Sequence, residues 1–523
     1  MPTRTVNCPT APLGSHDTLN PRYGLFLLQR PSPAIKFSLQ TGPGALVAAC
    51  AILFITSLTS VNAQTLRARI TITSVAPAKI RIAAEVPSAV NVLSFRNTYG
   101  GVLGLGERIE KVEARKATGE VVAVRKLAPG EFQASEKFTR FSYDVNVIEP
   151  ARPAQMSHVS WLNRQHGLLM LADLLPQSTN ESVNFNTAVI QFELPEGWIS
   201  TSNVKNDGVQ YSTDHPEKAV FLIGPALHEK TRRIGSTTFS LIASGKWPFS
   251  DDEVIKMAGK IIEGYSKVTG FGIKRSAVLM LIPYPGEARP ERWSAETRDD
   301  AVVLLLGRGA SNKEVLRMLG IVLSHELFHL WVPNSLKLEG DYDWFFEGFT
   351  LYQALRMDLR LGLISFEDFL ATIARVYDSY LTSPERDTLS LVGASERRWT
   401  TSSPLVYDKG TLVAFIYDLM LRSRSDCKAS LDTVYKELFK QKATGQGSAT
   451  ETIIKLLTAQ PGMESFARVY VEGTDKINLD TFLRSYGFHV QRGSHVNKAT
   501  RLTVVQDLSK TQRRLLGCLG YER

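Results

Sequence analysis

Residues 311–352 read SNKEVLRMLGIVLSHELFHLWVPNSLKLEGDYDWFFEGFTLY. Ser311 and Glu314 stand ahead of an apolar run at the Ser-x-x-Glu spacing of a capping box, which predicts a helix starting there. Val315, Leu319, Val322 and Leu323 continue the run at helical spacing, and Pro333 stops it. On that helix His325 and His329 lie one turn apart, so both imidazoles leave the same face. This is the geometry two zinc ligands need, and Glu326 beside them can take a proton from water activated at such an ion. A tetrahedral site with two histidines needs a third protein ligand and keeps one position open. Asp341 or Asp343 is placed to cap a second helix that ends near Gly362, with Glu347 in its first turns. An HExxH string alone arises by chance on helices. Here a capped apolar helix, a break and a second Glu-bearing helix accompany it.

Working outward, the chain has 523 residues, of which 43% are hydrophobic, enough for two to four domains. The net charge of +9 falls partly in the first 63 residues. No dense Lys/Arg block is interleaved with aromatics, which argues against a nucleic-acid partner. Of the four cysteines, Cys8 and Cys50 precede residue 64, and no CxxC pair exists. Cys427 and Cys518 could pair in an oxidising compartment or stand as separate thiols. The apolar run Ala45–Leu58, followed by Val61-Asn62-Ala63, reads as a signal-peptide core and small-residue cleavage site. It is short for a membrane span. The expectation is an exported protein, periplasmic or secreted, cleaved after Ala63 and without a stable membrane span thereafter.

Residues 64–235 carry β-branched, alternating segments such as LRARITITS, KIRIAAEV and VIQFEL, which predict a sandwich-like β domain. The glycines of Gly101–Gly106 lack a strand–GxGxxG–helix context and read as a hairpin turn. Asn180-Glu181-Ser182 is an isolated sequon. His158, His166, His215 and His228 are scattered and read as structural or solvated. From Pro248 the period changes to helical over Asp251–Val268, and AVLMLIP and AVVLLLG read as buried strands. Residues 236–364 are therefore expected to form the metal-bearing domain, 365–491 a helical subdomain and 492–523 a basic tail whose helix, Leu508–Leu519, shows a solvated Arg513/Arg514 face. The fold class is α+β.

HELFHLW and DWFFEGFTLY together resemble the glycyl aminopeptidase family of gluzincin metallopeptidases, which is related to the aminopeptidase N family. The matching residues are His325, Glu326, His329, Trp331, Trp344, Phe345, Glu347, Gly348, Phe349 and Thr350. Looser likeness runs through SWLNRQHGLLMLADLLP, FELPEGW, VYDKGTLVAFIYDLMLR and YVEGTDKINLDTFLRSYG. The resemblance implies a β-rich N-terminal domain, a thermolysin-like catalytic domain and a helical C-terminal portion. It implies one Zn²⁺ ion held by His325, His329 and Glu347, Glu326 as general base, and Tyr407 as a donor to the oxyanion.

Two departures stand out. Members of the family often carry a PDZ domain after the catalytic part, and the residues after Gln491 are too few for one. The family's Gly-x-x-Glu-His-like motif, whose glutamate binds the substrate amine, corresponds here to Ser294-Ala295-Glu296-Thr297, in what reads as a charged loop without the glycine or the histidine. Glu296 is the candidate amine anchor. The expected function is a zinc aminopeptidase acting on peptides. The alternatives are a zinc endopeptidase and a non-catalytic peptide-binding protein on a peptidase fold. Oligomeric state is open.

Overall fold

Alternating burial builds the first sheet. Strand Thr65–Val75 buries Leu66, Ala68 and Ile70 and turns Arg67 and Arg69 outward. Strand Ala78–Ser94 pairs antiparallel with it, Ile82 opposite Ile70. These belong to a nine-stranded sheet completed within the first 213 residues. The computed structural model describes residues 64–522 apart from 179–184, 274, 287–288, 310, 399–401, 442–447 and 494–498. The leader with its expected cleavage site and the sequon at Asn180 lie outside the described residues.

A four-stranded sheet, from Trp161–Leu162, Gly167–Met170, Ile199–Ser202 and Val220–Gly224, forms the middle layer. Leu162, Leu169, Phe221 and Ile223 share a core with the nine-stranded sheet. Their neighbours Trp161, Leu168, Met170, Val220 and Leu222 share another core with Ile242, Met280, Val303 and Leu305. Those last four belong to a five-stranded sheet in the order Leu227–Ile234, Thr237–Ser244, Ser276–Pro283, Ala301–Leu306, Trp293–Arg298. Burial on both faces is why GLLM, VFLIG, AVLMLIP and AVVLLL are continuous apolar runs with no alternation. Strand Leu227–Ile234 already belongs to the five-stranded layer, ahead of residue 236.

The edge of that sheet corrects one expectation. Glu296 lies in strand Trp293–Arg298, paired antiparallel with Ala301–Leu306, and not in a charged loop. Glu296 and Thr297 line a cavity, and Ser294 and Arg298 are buried against polar partners, so the apolar alternation that marks a half-buried strand is missing.

The other face of the five-stranded sheet packs against helices, in one core running from Ile234 to Leu519. Helix Asp251–Thr269 starts from a Ser250/Glu253 capping box, and helix Phe366–Thr382 from a Ser365/Asp368 box. Helix Ser403–Arg424 runs through this core and lies so close to Trp344–Phe349 that a Cβ on Gly348 would meet Gly410 Cα at 2.5 Å. Glycine at both positions lets the two backbones touch.

Among the described residues beyond Gln491, a strand and a helix pack onto the fold. Strand Arg501–Val504 pairs with Phe488–Gln491, and helix Lys510–Leu519 buries Leu515, Leu516 and Leu519. A disulfide joins Cys427 to Cys518 with Cα atoms 6.4 Å apart, inside the usual range for a bridge. Arg514 stays at the surface and pairs with Asp426. Among the described residues no helix is long and apolar enough to cross a membrane.

Candidate metal centre

His325 lies in the last turn of helix Asn312–Glu326, and His329 lies in the 3₁₀ turn Leu327–Leu330 that continues it. Ser311 caps the helix by accepting the Glu314 N–H. The residues between and after the histidines anchor this end. Leu327, Phe328, Leu330 and Trp331 are fully buried, and Trp331 Nε1 donates to the Phe271 carbonyl at 2.8 Å. The imidazoles are left to face the cavity. His329 Nδ1 donates to the Val332 carbonyl at 3.0 Å, which turns Nε2 toward the centre as a lone-pair donor.

Glu347 sits in a π-helical turn, Trp344–Phe349, which opens into helix Thr350–Arg360. Such turns recur at functional sites because the widened backbone re-aims a side chain. Asp343 precedes this turn but does not cap it. The Trp344 N–H goes to Ser395 Oγ at 2.9 Å, and the Asp343 carboxylate pairs with Arg398.

His325 Nε2 and His329 Nε2 are 3.2 Å apart, and Glu347 Oε2 lies 3.5 Å from the first and 3.6 Å from the second. A tetrahedral zinc ion with bonds of about 2.0–2.1 Å sets its ligands about 3.3–3.4 Å apart. Glu347 Oε2 is buried without a hydrogen-bond partner, an orphaned lone pair at the spot where an ion would sit. The residues present therefore fit zinc.

The electrostatics suit a ligand set. Burial pushes the Glu347 carboxyl up, but the neighbouring His329, His325 and Arg398 outweigh it and hold the group down to about 2. Burial, then the Glu347 charge, pushes the Tyr407 phenol well above its ordinary value, so it remains a neutral donor.

His325, Glu326, His329, Glu347, Tyr407 and Glu296 all line one cavity of about 500 Å³. Glu326 is tied to the edge strand, its Oε2 lying 2.7 Å from Thr297 Oγ1. Tyr407 lies in helix Ser403–Arg424, its hydroxyl accepting from Arg398 at 3.0 Å. Glu296 is engaged on all sides: by the Tyr99 hydroxyl, by His158 Nδ1 at 2.5 Å and by Arg298 Nε at 3.1 Å.

Four residues of this site escape a reading of the sequence. His158, read as structural or solvated, lines the cavity. Tyr99 is delivered by a tight hairpin, Thr98–Tyr99 with Val102–Leu103, whose turn glycines have φ of 55° and 74°. Thr297 and Arg398 carry no motif. The hairpin glycines gave a signal, but nothing local says that the turn ends over Glu296.

Residues 318–413 match the profile of the M61 glycyl aminopeptidase family. This stretch holds the His–His–Glu group, Glu326, Arg398 and Tyr407, and the resemblance read from the motifs holds there. Among solved structures, the aminopeptidase N family protein from Idiomarina loihiensis is 18% identical, with 82% of this chain and 79% of that one covered at a TM-score of 0.70. That likeness establishes the fold. An M1 zinc metallopeptidase from Deinococcus radiodurans is 16% identical, with 80% of this chain and 95% of that one covered at a TM-score of 0.48. No curated protein matches the chain. The family match together with the His–His–Glu group supports a metallopeptidase.

Proposed function

We propose that the protein is a zinc metallopeptidase that cleaves peptides, and that it acts as an aminopeptidase. The observation that carries this reading is the convergence of His325 Nε2, His329 Nε2 and Glu347 Oε2 at 3.2–3.6 Å beside Glu326 in the cavity. A bound zinc ion supplies Lewis acidity, which polarises a scissile carbonyl and acidifies water. Glu326 takes the proton of the attacking water and delivers it to the leaving amine. Thr297 holds one carboxylate oxygen of Glu326, so the other is free for that proton. Tyr407 would donate a hydrogen bond to the oxyanion that develops on the oxygen of the attacked carbonyl.

Glu296 is the amine anchor in this reading, since its carboxylate lines the same cavity. A substrate ammonium would share it with Arg298 and displace the contact with His158. The endopeptidase reading draws on the same geometry, because Arg298, Tyr99 and His158 already engage that carboxylate.

A peptide-library digest by the zinc-loaded protein, read by mass spectrometry, tests the function. Removal of single N-terminal residues is the expected product pattern, absent with Glu326→Gln. Glu296→Ala separates the two readings. Lost cleavage of aminoacyl reporters with blocked peptides spared supports the anchor, and equal loss on both rejects it.

A further inference from the structure

We propose that Arg398 is the positioning residue of this metal site, holding Glu347 and Tyr407 with one guanidinium; the inference rests on the metallopeptidase reading above. Nη2 donates to Glu347 Oε1 at 2.6 Å and to the Tyr407 hydroxyl oxygen at 3.0 Å, while Nη1 is paired with Asp343. The side chains of Arg398 and Asp343 are each 12% exposed, so the pair is sheltered from solvent screening.

Two consequences follow from donor chemistry. Arginine only donates. With Oε1 of Glu347 engaged, Oε2 is the single oxygen offered to an ion, so the glutamate binds through one atom. With a lone pair of the Tyr407 oxygen engaged, the phenol's own proton is directed away from Arg398 and is available to an oxyanion. The three anchored groups come from two separate pieces of chain: Asp343 with the turn Trp344–Phe349 that follows it, and helix Ser403–Arg424. A planar fork can serve all of them at once, whereas a lysine ammonium is a compact point charge on a flexible stem. Phe346, its ring centroid 5.4 Å from the guanidinium carbon, limits where that fork can lie.

The test uses Arg398→Met and Arg398→Lys, first checked by circular dichroism and melting, with Arg398→Lys carrying the test if the methionine variant does not fold. Two readouts are compared with the wild-type full chain: the visible absorption of the cobalt(II)-loaded protein, and kcat and KM on a peptide in a double-mutant cycle with Tyr407→Phe. The expected result is a weaker cobalt band, as Glu347 binds through both oxygens and the ion gains a ligand. The expected kcat falls about 10–100-fold with KM within about threefold of wild type, and the double mutant is no slower than the slower single variant. An unchanged cobalt band overturns the claim on Glu347, and losses that multiply in full overturn the claim on Tyr407. A wild-type protein that takes up cobalt but cleaves no peptide defeats the peptidase reading and leaves the cobalt comparison to judge Arg398. One that takes up no metal defeats both.

Discussion

The hydroxyl of Thr297 lies 2.7 Å from Oε2 of Glu326 and 3.0 Å from the carbonyl oxygen of the same residue. The one proton of this edge-strand hydroxyl is shared between the carboxylate, the nearer acceptor, and the carbonyl at the end of the helix that bears it. A general base works only within hydrogen-bond reach of its proton, so the orientation of Glu326 depends on this contact.

Replacing Thr297 by valine keeps the β-branched shape and removes the donor. The expected outcome is a loss of about tenfold in kcat with zinc content unchanged, while Thr297→Ser retains most activity. Equal activity of the valine and serine variants in steady-state assays would show that Glu326 does not need the bond.

The sequence made the HELFH helix legible because its apolar period and its cap are local. It made Glu347 legible because the second motif follows within one short stretch. Tyr407 was reachable through the resemblance alone. What stayed hidden was tertiary. Arg398 sits in ERRW with no spacing that ties it to Glu347, and only the fold brings the two together. Strand Trp293–Arg298 reads as a loop because Glu296 and Thr297 line the cavity and Ser294 and Arg298 are buried against polar partners. The segment after Gln491 reads as a tail because Leu515, Leu516 and Leu519 find their partners on other helices.

Removing the ion tests the centre directly. Chelation is expected to abolish peptide cleavage and lower the melting temperature, and equimolar zinc should restore both, because an ion that binds only the folded state stabilises it. Glu347→Gln should weaken zinc retention, read by elemental analysis. Glu326→Gln should keep the zinc and lose at least about a thousandfold in kcat. A chelated protein with full activity would rule out a metallopeptidase.

His166 sets an acid limit on stability. It is buried beside Trp161, with Nδ1 3.0 Å from Ser244 Oγ, and burial, then the Arg308 charge, lowers its pKa from 6.5 to about 4. Below 6.5 the unfolded chain binds the proton first, so the contribution is complete above that pH and is lost as pH falls toward about 4. The gap corresponds to about 3 kcal/mol. Urea unfolding of the wild type and His166→Gln across this window should show the wild type losing that much more stability on acidification. Parallel curves would place the acid sensitivity elsewhere.

The disulfide between Cys427 and Cys518 closes a long loop, with 91 positions separating the two cysteines. It fastens helix Lys510–Leu519, whose last carbonyls cap two arginines of the interior: Leu519 O accepts from Arg356 at 2.8 Å and Cys518 O from Arg422 at 3.1 Å. Arg356 lies on the helix that continues from Glu347, and Arg422 on the helix that carries Tyr407. Arg422 is also paired with Asp418, which accepts the Tyr352 hydroxyl at 2.7 Å. Loosening the C-terminal helix therefore exposes the polar joint between the two helices of the site. The Cys427→Ser/Cys518→Ser variant is expected to lose about 2–4 kcal/mol of stability in urea titration. Faster amide exchange should appear first in residues 510–519 and then around Arg356 and Arg422. Activity at room temperature should persist, because the contacts of Arg356 and Arg422 hold while the helix stays docked. Unchanged stability together with unchanged exchange would show that Leu515, Leu516 and Leu519 hold the helix by packing alone.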